Sequence, residues 1–283
     1  MNDSFDYEIS ARKNLLSLNL KELWRYRDLV ALLVRRDYVA VYKQTVLGPV
    51  WFFIQPIITT LIFTIIFGNI ANFAPDGVPP FLFFLCGQTF WNYFASCLTA
   101  TSNTFVANAS VFGKVYFPRL AVPVSVVISN ILKFSIQFLL LIAVWLYYYF
   151  ADTGYHLQPN ISLLFIPFYL LLMALLGLSA GLIISALTTK YRDLSFLVGF
   201  GVQLLMYGSS VVVPLSKIND PRIHNLVKYN PITPVIEAAK AGFGCEGVFS
   251  PMMLAYSLTV AVVMLLSGIL IFNKVERTFM DTV

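Results

Sequence analysis

The residue types that most often carry out catalysis are scarce in this sequence and are not grouped. The two histidines, His156 and His224, lie far apart along the chain. We interpret both as solvated side chains rather than as metal ligands or acid–base groups. The sequence therefore predicts no catalytic residue and no metal site, which disfavours an intramembrane transferase.

The sequence also lacks a convincing nucleotide-binding motif. Gly242, Gly244 and Gly247 spell G-x-G-x-x-G, but they follow no predicted strand and open no nucleotide-binding helix. The phosphate-binding pattern G-x-x-x-x-G-K-[ST] is absent from the sequence, so the chain is not expected to hydrolyse ATP. We predict no cofactor in this chain, and energy from ATP would have to come from a partner.

The composition is typical of a membrane protein. Hydrophobic residues make up 58% of the 283 residues and charged residues only 12%, whereas soluble domains average about 25% charged residues. No Ser/Gly-rich linker divides the chain. We therefore predict a single all-α integral membrane domain.

Six apolar stretches are long enough to cross a bilayer as helices. A bilayer core about 30 Å thick needs about 20 mostly apolar residues in a helix. Runs without charge, one of them interrupted by Lys133, meet this criterion six times. The predicted spans are 50–70, 81–107, 121–150, 161–187, 194–213 and 251–272. They define an N-terminal arm of residues 1–48, a six-helix transmembrane domain of residues 49–273, and a tail of residues 274–283.

The basic residues predict that both termini are cytoplasmic. With six spans, fourteen Lys and Arg residues share the side of the termini and four lie on the opposite side. The excess of basic residues marks the cytoplasmic side. No cleaved signal peptide is expected, because the sequence does not open with a short apolar core and a small-residue cleavage site.

Lys133 is the one charged residue predicted inside a span. It lies about 12 residues into the third span, too deep for its ammonium group to reach the interface easily. It is expected to face protein or water. A structural pairing with Gln137, one turn away, and a role in transport are both open.

Two segments outside the spans are predicted to be helical. From Leu20 to Val34, apolar residues recur at helical spacing opposite a charged face, which predicts an amphipathic helix lying on the cytoplasmic surface. This helix is either an interface for a partner or an ordinary anchor. The outer segment, residues 214–250, carries four prolines and an apolar stretch from Pro234 to Phe243, which favours short re-entrant helices.

The loop between the second and third spans combines aromatic and basic residues. A loop of this length is usually polar, so exposed aromatic and cationic side chains predict a knob that enters a groove of another protein. The alternative is an interfacial anchor that places Lys114 and Tyr116 at lipid headgroups. The knob residues are Lys114, Val115, Tyr116, Phe117, Pro118 and Arg119, within the segment of residues 108–119.

The chain resembles the permease subunits of ABC transporters that export O-antigen, capsule and teichoic acid polymers. The resemblance covers nearly all of residues 20–275. Val41 and Lys240 depart from the family, which often has Arg at these positions. The matching residues are Arg36-Asp37, Tyr42 to Gly48 with Trp51 and Pro56, Lys114 to Arg119 with Pro123, Tyr191-Arg192-Asp193, and Asn230-Pro231 with Glu237.

The resemblance implies a homodimer in the cytoplasmic (inner) membrane, bound to two cytoplasmic ATP-binding subunits that hold ATP and Mg. Residues 108–119, with Lys114 to Arg119, would act as a coupling element that enters a groove of the ATPase. The substrate would be a polysaccharide, lipid-linked, such as the O-antigen of lipopolysaccharide, and no nucleic acid is expected as a partner. The amphipathic helix would touch the ATPase through Trp24, Arg25, Arg27 and Arg36.

A sugar-polymer tunnel would use aromatic side chains, because aromatic faces pack against the apolar faces of sugar rings. Trp91 and Tyr93 are the residues that we assign to it. Two other function classes stay open. A related permease could move a drug, a small lipid or another hydrophobic compound. An ion-coupled carrier or channel acting alone would need acidic residues within its spans as ion sites. The predicted spans contain none, and Glu237, in the outer segment, is the one candidate.

Overall fold

The structure is a computed structural model that describes residues 20–43, 50–112, 117–151, 154–155, 157–191 and 193–279. Regular structure in these residues is helical throughout, as the predicted all-α class requires. The α-helices are α1 (Leu20–Arg25), α2 (Arg27–Lys43), α3 (Trp51–Phe63), α4 (Pro80–Ser102), α5 (Thr104–Phe112), α6 (Ala121–Phe150), α7 (Ile166–Lys190), α8 (Leu194–Tyr207), α9 (Pro221–Lys228), α10 (Thr233–Gly242) and α11 (Pro251–Phe279). Helix α3 continues as a π-helix over Thr64–Ile70, and 3-10 helices cover Ile161–Phe165 and Leu215–Lys217.

Four of these helical stretches are long and apolar enough to cross a membrane. They coincide with the predicted spans 50–70, 121–150, 161–187 and 251–272, because in each case an uninterrupted apolar run matches one helix. The chain is therefore a membrane protein with several apolar helices. The four stretches are Trp51–Ile70, Ala121–Phe150, Ile161–Thr189 and Pro251–Val275.

The other two predicted spans differ from the structure. The stretch 81–107 is divided at Asn103, whose backbone leaves the helical region, so α4 ends and α5 begins there. The stretch 194–213 contains only α8, which has 14 residues and ends at Gly208. A helix of this length is about 21 Å long, less than the bilayer core. Four of the six predicted spans thus match helices that are long enough to cross a bilayer, and the count of six stays a prediction.

Helix α4 lies at the centre of the molecule. It packs against α3, α6, α7, α8 and α10. Its phenylalanines Phe83, Phe84 and Phe90 are completely buried, and they form one core cluster with residues of α6, α7 and α10. Because apolar side chains cover α4 on all sides, it is held by protein rather than by lipid along most of its length.

Two glycines let α7 approach α4 closely. A Cβ atom at Gly177 would lie 2.8 Å from the Cβ of Cys97, and one at Gly181 would lie 2.5 Å from the Cβ of Thr101. The glycines are four residues apart and so lie on one face of α7, the arrangement that brings helix backbones together in membranes. The hydroxyl of Thr188 adds a hydrogen bond of 3.0 Å to the carbonyl of Ser102.

The N-terminal helix predicted from Leu20 to Val34 is present but is divided at Tyr26 and extends to Lys43. Val30 and Leu33 are buried in a core cluster with residues of α5, α6, α7 and α11. Trp24, on α1, is 70% exposed.

Hydrogen bonds tie α2 to α6. The Ser129 hydroxyl donates to the carboxylate of Asp37 at 3.2 Å, and the Tyr38 hydroxyl donates to the carbonyl of Ile128 at 3.4 Å. The arm is thus fixed to the transmembrane helices by polar as well as apolar contacts.

We expect Gly181→Ala to destabilise the protein by about 1–3 kcal/mol, because the new methyl group overpacks the α4–α7 contact. The midpoint of thermal unfolding in detergent, followed by tryptophan fluorescence, measures this. The matched control is Gly208→Ala at the end of α8, where the new Cβ would lie at an ordinary contact distance of 3.6 Å from the nearest atom. The control is expected to leave stability unchanged or slightly raised. Equal midpoints for both variants would contradict the close packing.

Candidate functional site

The predicted coupling element is only partly described. Lys114, Val115 and Tyr116 lie outside the described residues. Phe117 follows them and is only 8% exposed, so its ring packs inside this chain and is not presented to a partner. The expectation that the aromatic rings of this element are exposed is therefore wrong for Phe117. The coupling role of the element as a whole stays a prediction.

An aromatic cluster of Phe105, Phe112, Phe117 and Phe272 holds the end of this element. The ring centroids of Phe112 and Phe117 are 5.7 Å apart, and those of Phe105 and Phe112 are 6.0 Å apart. The rings of Phe105 and Phe272 are stacked at 4.5 Å. These separations are in the range in which aromatic pairs attract each other. The cluster joins the coupling element to α5 and α11.

Arg119 adds a charged contact to the aromatic cluster. Its guanidinium lies over the ring of Phe112, 5.4 Å from the centroid, and the residue is almost buried. Cation–π contacts of this kind are stronger when they are withdrawn from water. Because Phe117 and Arg119 both bear on Phe112, a displacement of the segment that precedes α6 would move α5 as well.

Sequence reasoning did not identify the partners of this cluster. Phe105 and Phe272 lie in different apolar helices, and nothing in their spacing indicates that they meet. A phenylalanine within an apolar run is as compatible with lipid as with a core position. Only the fold brings α5 and α11 together here.

The predicted ATPase-interface residues lie on the exposed side of α1 and α2. Trp24, Arg25, Arg27 and Arg36 are all solvent-exposed. The Arg27 guanidinium lies 5.7 Å from the ring centroid of Trp24, and Arg36 pairs with Asp37 at 2.9 Å. The structure thus groups Trp24 and Arg27, while Arg36 lies about two turns further along α2.

A cavity of about 640 Å³ adjoins these residues, between the arm and α6. Val30, Val34 and Ile128 contribute apolar side chains, and Arg27 and Arg35 contribute positive charge. An apolar groove with a cationic rim can receive an apolar side chain beside an acidic group of another molecule. This chemistry fits the interface role that was predicted for the arm.

The two predicted tunnel residues are buried in the core cluster of this chain. Trp91 packs against Phe94, and the Tyr93 ring packs edge-to-face on Phe134 with centroids 5.4 Å apart. The Tyr93 hydroxyl donates to the carbonyl of Val127 at 3.4 Å. Their role in a tunnel stays a prediction, since neither ring is accessible in the single chain.

Lys133 is half-buried and faces protein, as expected from its depth. It lines a cavity of about 150 Å³ that Asp37 and Ser129 also line. The amide oxygen of Gln137 accepts a hydrogen bond from Asn92 at 3.4 Å, and its pairing with Lys133 stays a prediction. The acidic side chain that lines the cavity is Asp37 of the arm.

The outer segment contains the short helices α9 and α10. That they are re-entrant stays a prediction. Lys240, in the apolar stretch from Pro234 to Phe243, is completely buried on α10. Its ammonium group donates to the carbonyl of Ser210 and lies 3.6 Å from the ring centroid of Phe83 on α4. A buried charge needs such partners, so Lys240 fastens α10 to the central helix.

Glu237 lies one turn before Lys240 and is also buried. Its oxygen Oε1 has no hydrogen-bond partner within the described part of the chain. His224, one of the two histidines, is half-buried on α9, while His156 lies outside the described residues. Among the described residues, no group of three or more His, Cys, Asp or Glu side chains is placed to hold a metal ion.

Comparisons with known proteins give a consistent result. A family model described as "ABC-2 type transporter" matches residues 28–244. The chain is 26% identical over 269 residues to an "O-antigen export system permease protein RfbA" of Klebsiella pneumoniae, covering 94% of this chain and 99% of that relative. A second Klebsiella pneumoniae protein of the same name is 25% identical over 256 residues, or 90% and 94% of the two chains. A Myxococcus xanthus protein of that name is 25% identical over 266 residues, or 93% and 98%.

We expect Phe272→Ala to loosen residues 117–122 while leaving the chain folded, because it removes a completely buried ring from the aromatic cluster. Hydrogen–deuterium exchange of these backbone amides should become at least about tenfold faster, equivalent to about 1.4 kcal/mol of local stability. Phe150→Ala is the matched control, since this ring is 78% exposed at the far end of α6. Unchanged exchange in Phe272→Ala would show that the cluster does not hold the coupling element.

Proposed function

We propose that this chain, which belongs to the ABC-2 type transporter family, is the permease subunit of an ATP-driven exporter that moves a lipid-linked polysaccharide such as O-antigen across the cytoplasmic membrane. The observation that carries the proposal is the near end-to-end match to three O-antigen export permeases. A shared fold alone would say little about substrate, but here the similarity extends over the arm, the apolar helices and the outer segment together.

The proposed exporter is a homodimer with six spans in each chain and both termini in the cytoplasm. The surface of α8 supports a contact between two copies. A Cβ atom at Gly199 or Gly201 would meet no atom within 4 Å, and Phe196 and Phe200 on the same helix are exposed. Gly199 lies one turn after Phe196, and a small residue on an exposed helix face allows a second helix to approach closely in a membrane.

Energy enters the proposed exporter from outside this chain. Membership of the family implies association with an ATP-binding subunit, and the sequence has no phosphate-binding loop of its own. ATP and Mg therefore belong to that subunit, and two copies of it would serve the dimer. The exposed side of the arm, with Trp24 and Arg27, and the coupling element are the proposed contacts with it.

Residues 117–119 suggest how a movement of the ATP-binding subunits would reach the helices of this chain. Phe117 and Arg119 are anchored in the aromatic cluster, which contacts α5 and α11. In the proposed mechanism, closure of the ATP-binding subunits displaces the coupling element, and the cluster carries the displacement to these helices. The displacement shifts the helices only if the ATP-bound state favours a different arrangement of these contacts.

Deleting the gene for this chain is expected to abolish surface polysaccharide and to leave the glycan inside the cell. Extraction and gel staining of surface and intracellular glycan measure this, and a plasmid copy should restore export. Normal surface glycan combined with increased sensitivity to a drug or small lipid would contradict the proposal and favour the alternative substrate class.

The coupling element can be tested separately. Lys114→Ala with Tyr116→Ala is expected to lower export and glycan-stimulated ATP hydrolysis at least about tenfold, since the main contacts of an interface are concentrated in few side chains. The amount of chain in the membrane should not change. Lys217→Ala, in the outer segment, is the control and should leave both activities intact. Full export by the double variant would argue against the coupling role.

A further inference from the structure

The groove between the arm and α6, with a volume of about 640 Å³, is lined mostly by apolar side chains. Val30 and Val34 come from the arm, and Val124 and Ile128 come from α6. The hydroxyl of Tyr38, which also lines the groove, donates to the Ile128 carbonyl at 3.4 Å and so joins the two walls. Apolar walls offer water few hydrogen-bond partners, so an apolar molecule is the more stable occupant of this groove.

The position of the groove along α6 indicates that this molecule is a membrane lipid. Helix α6 has 30 residues and is therefore about 45 Å long, whereas the bilayer core is about 30 Å thick. With α6 centred on the core, about five residues at each end lie at the level of the headgroups. Val124 belongs to the first of these ends, and Ile128 lies just beyond it. The groove thus crosses the boundary between headgroups and acyl chains.

The arm presents the side chains that hold a helix at this boundary. Trp24, Leu32 and Val39 are exposed although they are apolar. Residues 20–43 include six basic side chains and three acidic ones. Amphipathic helices that combine Trp or Leu with basic residues lie at the membrane surface and are attracted to anionic lipids.

The charge on the rim of the groove favours a negatively charged headgroup. Arg27 and Arg35 line the groove, and both are exposed. Arg27 lies 3.9 Å from the carboxylate of Asp28, whereas Arg35 forms no ion pair with any residue in the described part of the chain. Among the described residues that line the groove, none is acidic. A lipid phosphate complements this rim, because basic pockets beside membrane helices bind anionic headgroups.

We infer that the groove binds one anionic phospholipid of the surrounding membrane, whose acyl chain lies along Val34, Val124 and Ile128 and whose phosphate is held by Arg35 and Arg27. This role goes beyond the proposed function, since a membrane lipid is present whatever substrate is exported. The lipid would fix the arm to α6 beside the surface that is proposed to meet the ATP-binding subunit.

Native mass spectrometry of the full-length chain tests this site. The chain is titrated in detergent with phosphatidylglycerol, which is anionic, or with phosphatidylcholine of identical acyl chains. The wild-type chain is expected to bind its first phosphatidylglycerol at least about fivefold more tightly than its first phosphatidylcholine. Each basic residue near an anionic lipid surface contributes about 1 kcal/mol, which is a factor of about five.

Two variants separate the charge of the rim from the space in the groove. Arg35→Gln is expected to weaken phosphatidylglycerol binding about fivefold and to leave phosphatidylcholine binding unchanged. Ala31→Phe places a ring in the groove from an exposed position on its wall and is expected to weaken the binding of both lipids. Arg222→Gln, the same change of charge at an exposed position of α9, is the control and should bind like the wild type.

Equal affinity of the wild-type chain for the two lipids would overturn the inference, as would phosphatidylglycerol binding that either groove variant leaves unchanged. Co-purification with the ATP-binding subunit identifies the other possible occupant. If both variants bind phosphatidylglycerol like the wild type but lose that subunit, the groove receives a segment of the subunit and the lipid site is rejected. Ala31→Phe keeps the test decisive if Arg35→Gln unfolds, because it removes no charge.

Discussion

The packing of α7 onto α4 is the contact on which the positions of the other helices depend. Gly177 and Gly181 leave no room for a side chain between the two backbones. In a membrane, where lipid is as apolar as the side chains, such close approach is a principal source of helix association. With α7 fixed against one side of α4, the remaining surface of α4 is left for α3, α6, α8 and α10.

Helix α4 connects the buried Lys240 contact of the outer segment with the aromatic cluster at the coupling element. Near its start, α4 contacts α10 through Phe83 and Lys240, and near its end it is followed directly by α5 and the aromatic cluster. A 23-residue helix is about 34 Å long. Since packed helices move as rigid units rather than deform continuously, a displacement at the coupling element has a physical route to the outer segment. Energetic coupling of the two sites requires that these contacts exist in two distinct arrangements.

The sequence predicts the apolar helices well where one uninterrupted run corresponds to one helix, as in 50–70 and 121–150. It fails where backbone geometry decides the outcome. The break at Asn103 and the early end of α8 at Gly208 were missed because spans were identified by the absence of charge. The polar run from Thr101 to Thr104 and the two serines after Gly208 are uncharged. Charge is an incomplete guide to burial as well, because Lys240 is completely buried.

Part of the candidate site could also be predicted from the sequence. The motif containing Glu237 could be recognised, and the exposed arginines of the arm follow from their charge. The burial of Phe117 could not be predicted, because its partners come from α5 and α11 and lie far away in sequence. The groove between the arm and α6 is likewise a product of tertiary packing.

The central claim is that this chain moves its substrate with force supplied by a separate ATP-binding subunit. The most direct test is to purify the chain from its native membrane in mild detergent and to measure ATP hydrolysis and subunit composition in the eluate. We expect an ATP-binding subunit to elute with the chain in equal amount and the complex to hydrolyse ATP. Elution of the chain without any nucleotide-hydrolysing subunit, with transport intact when it is reconstituted alone, would show that the chain does not depend on such a subunit.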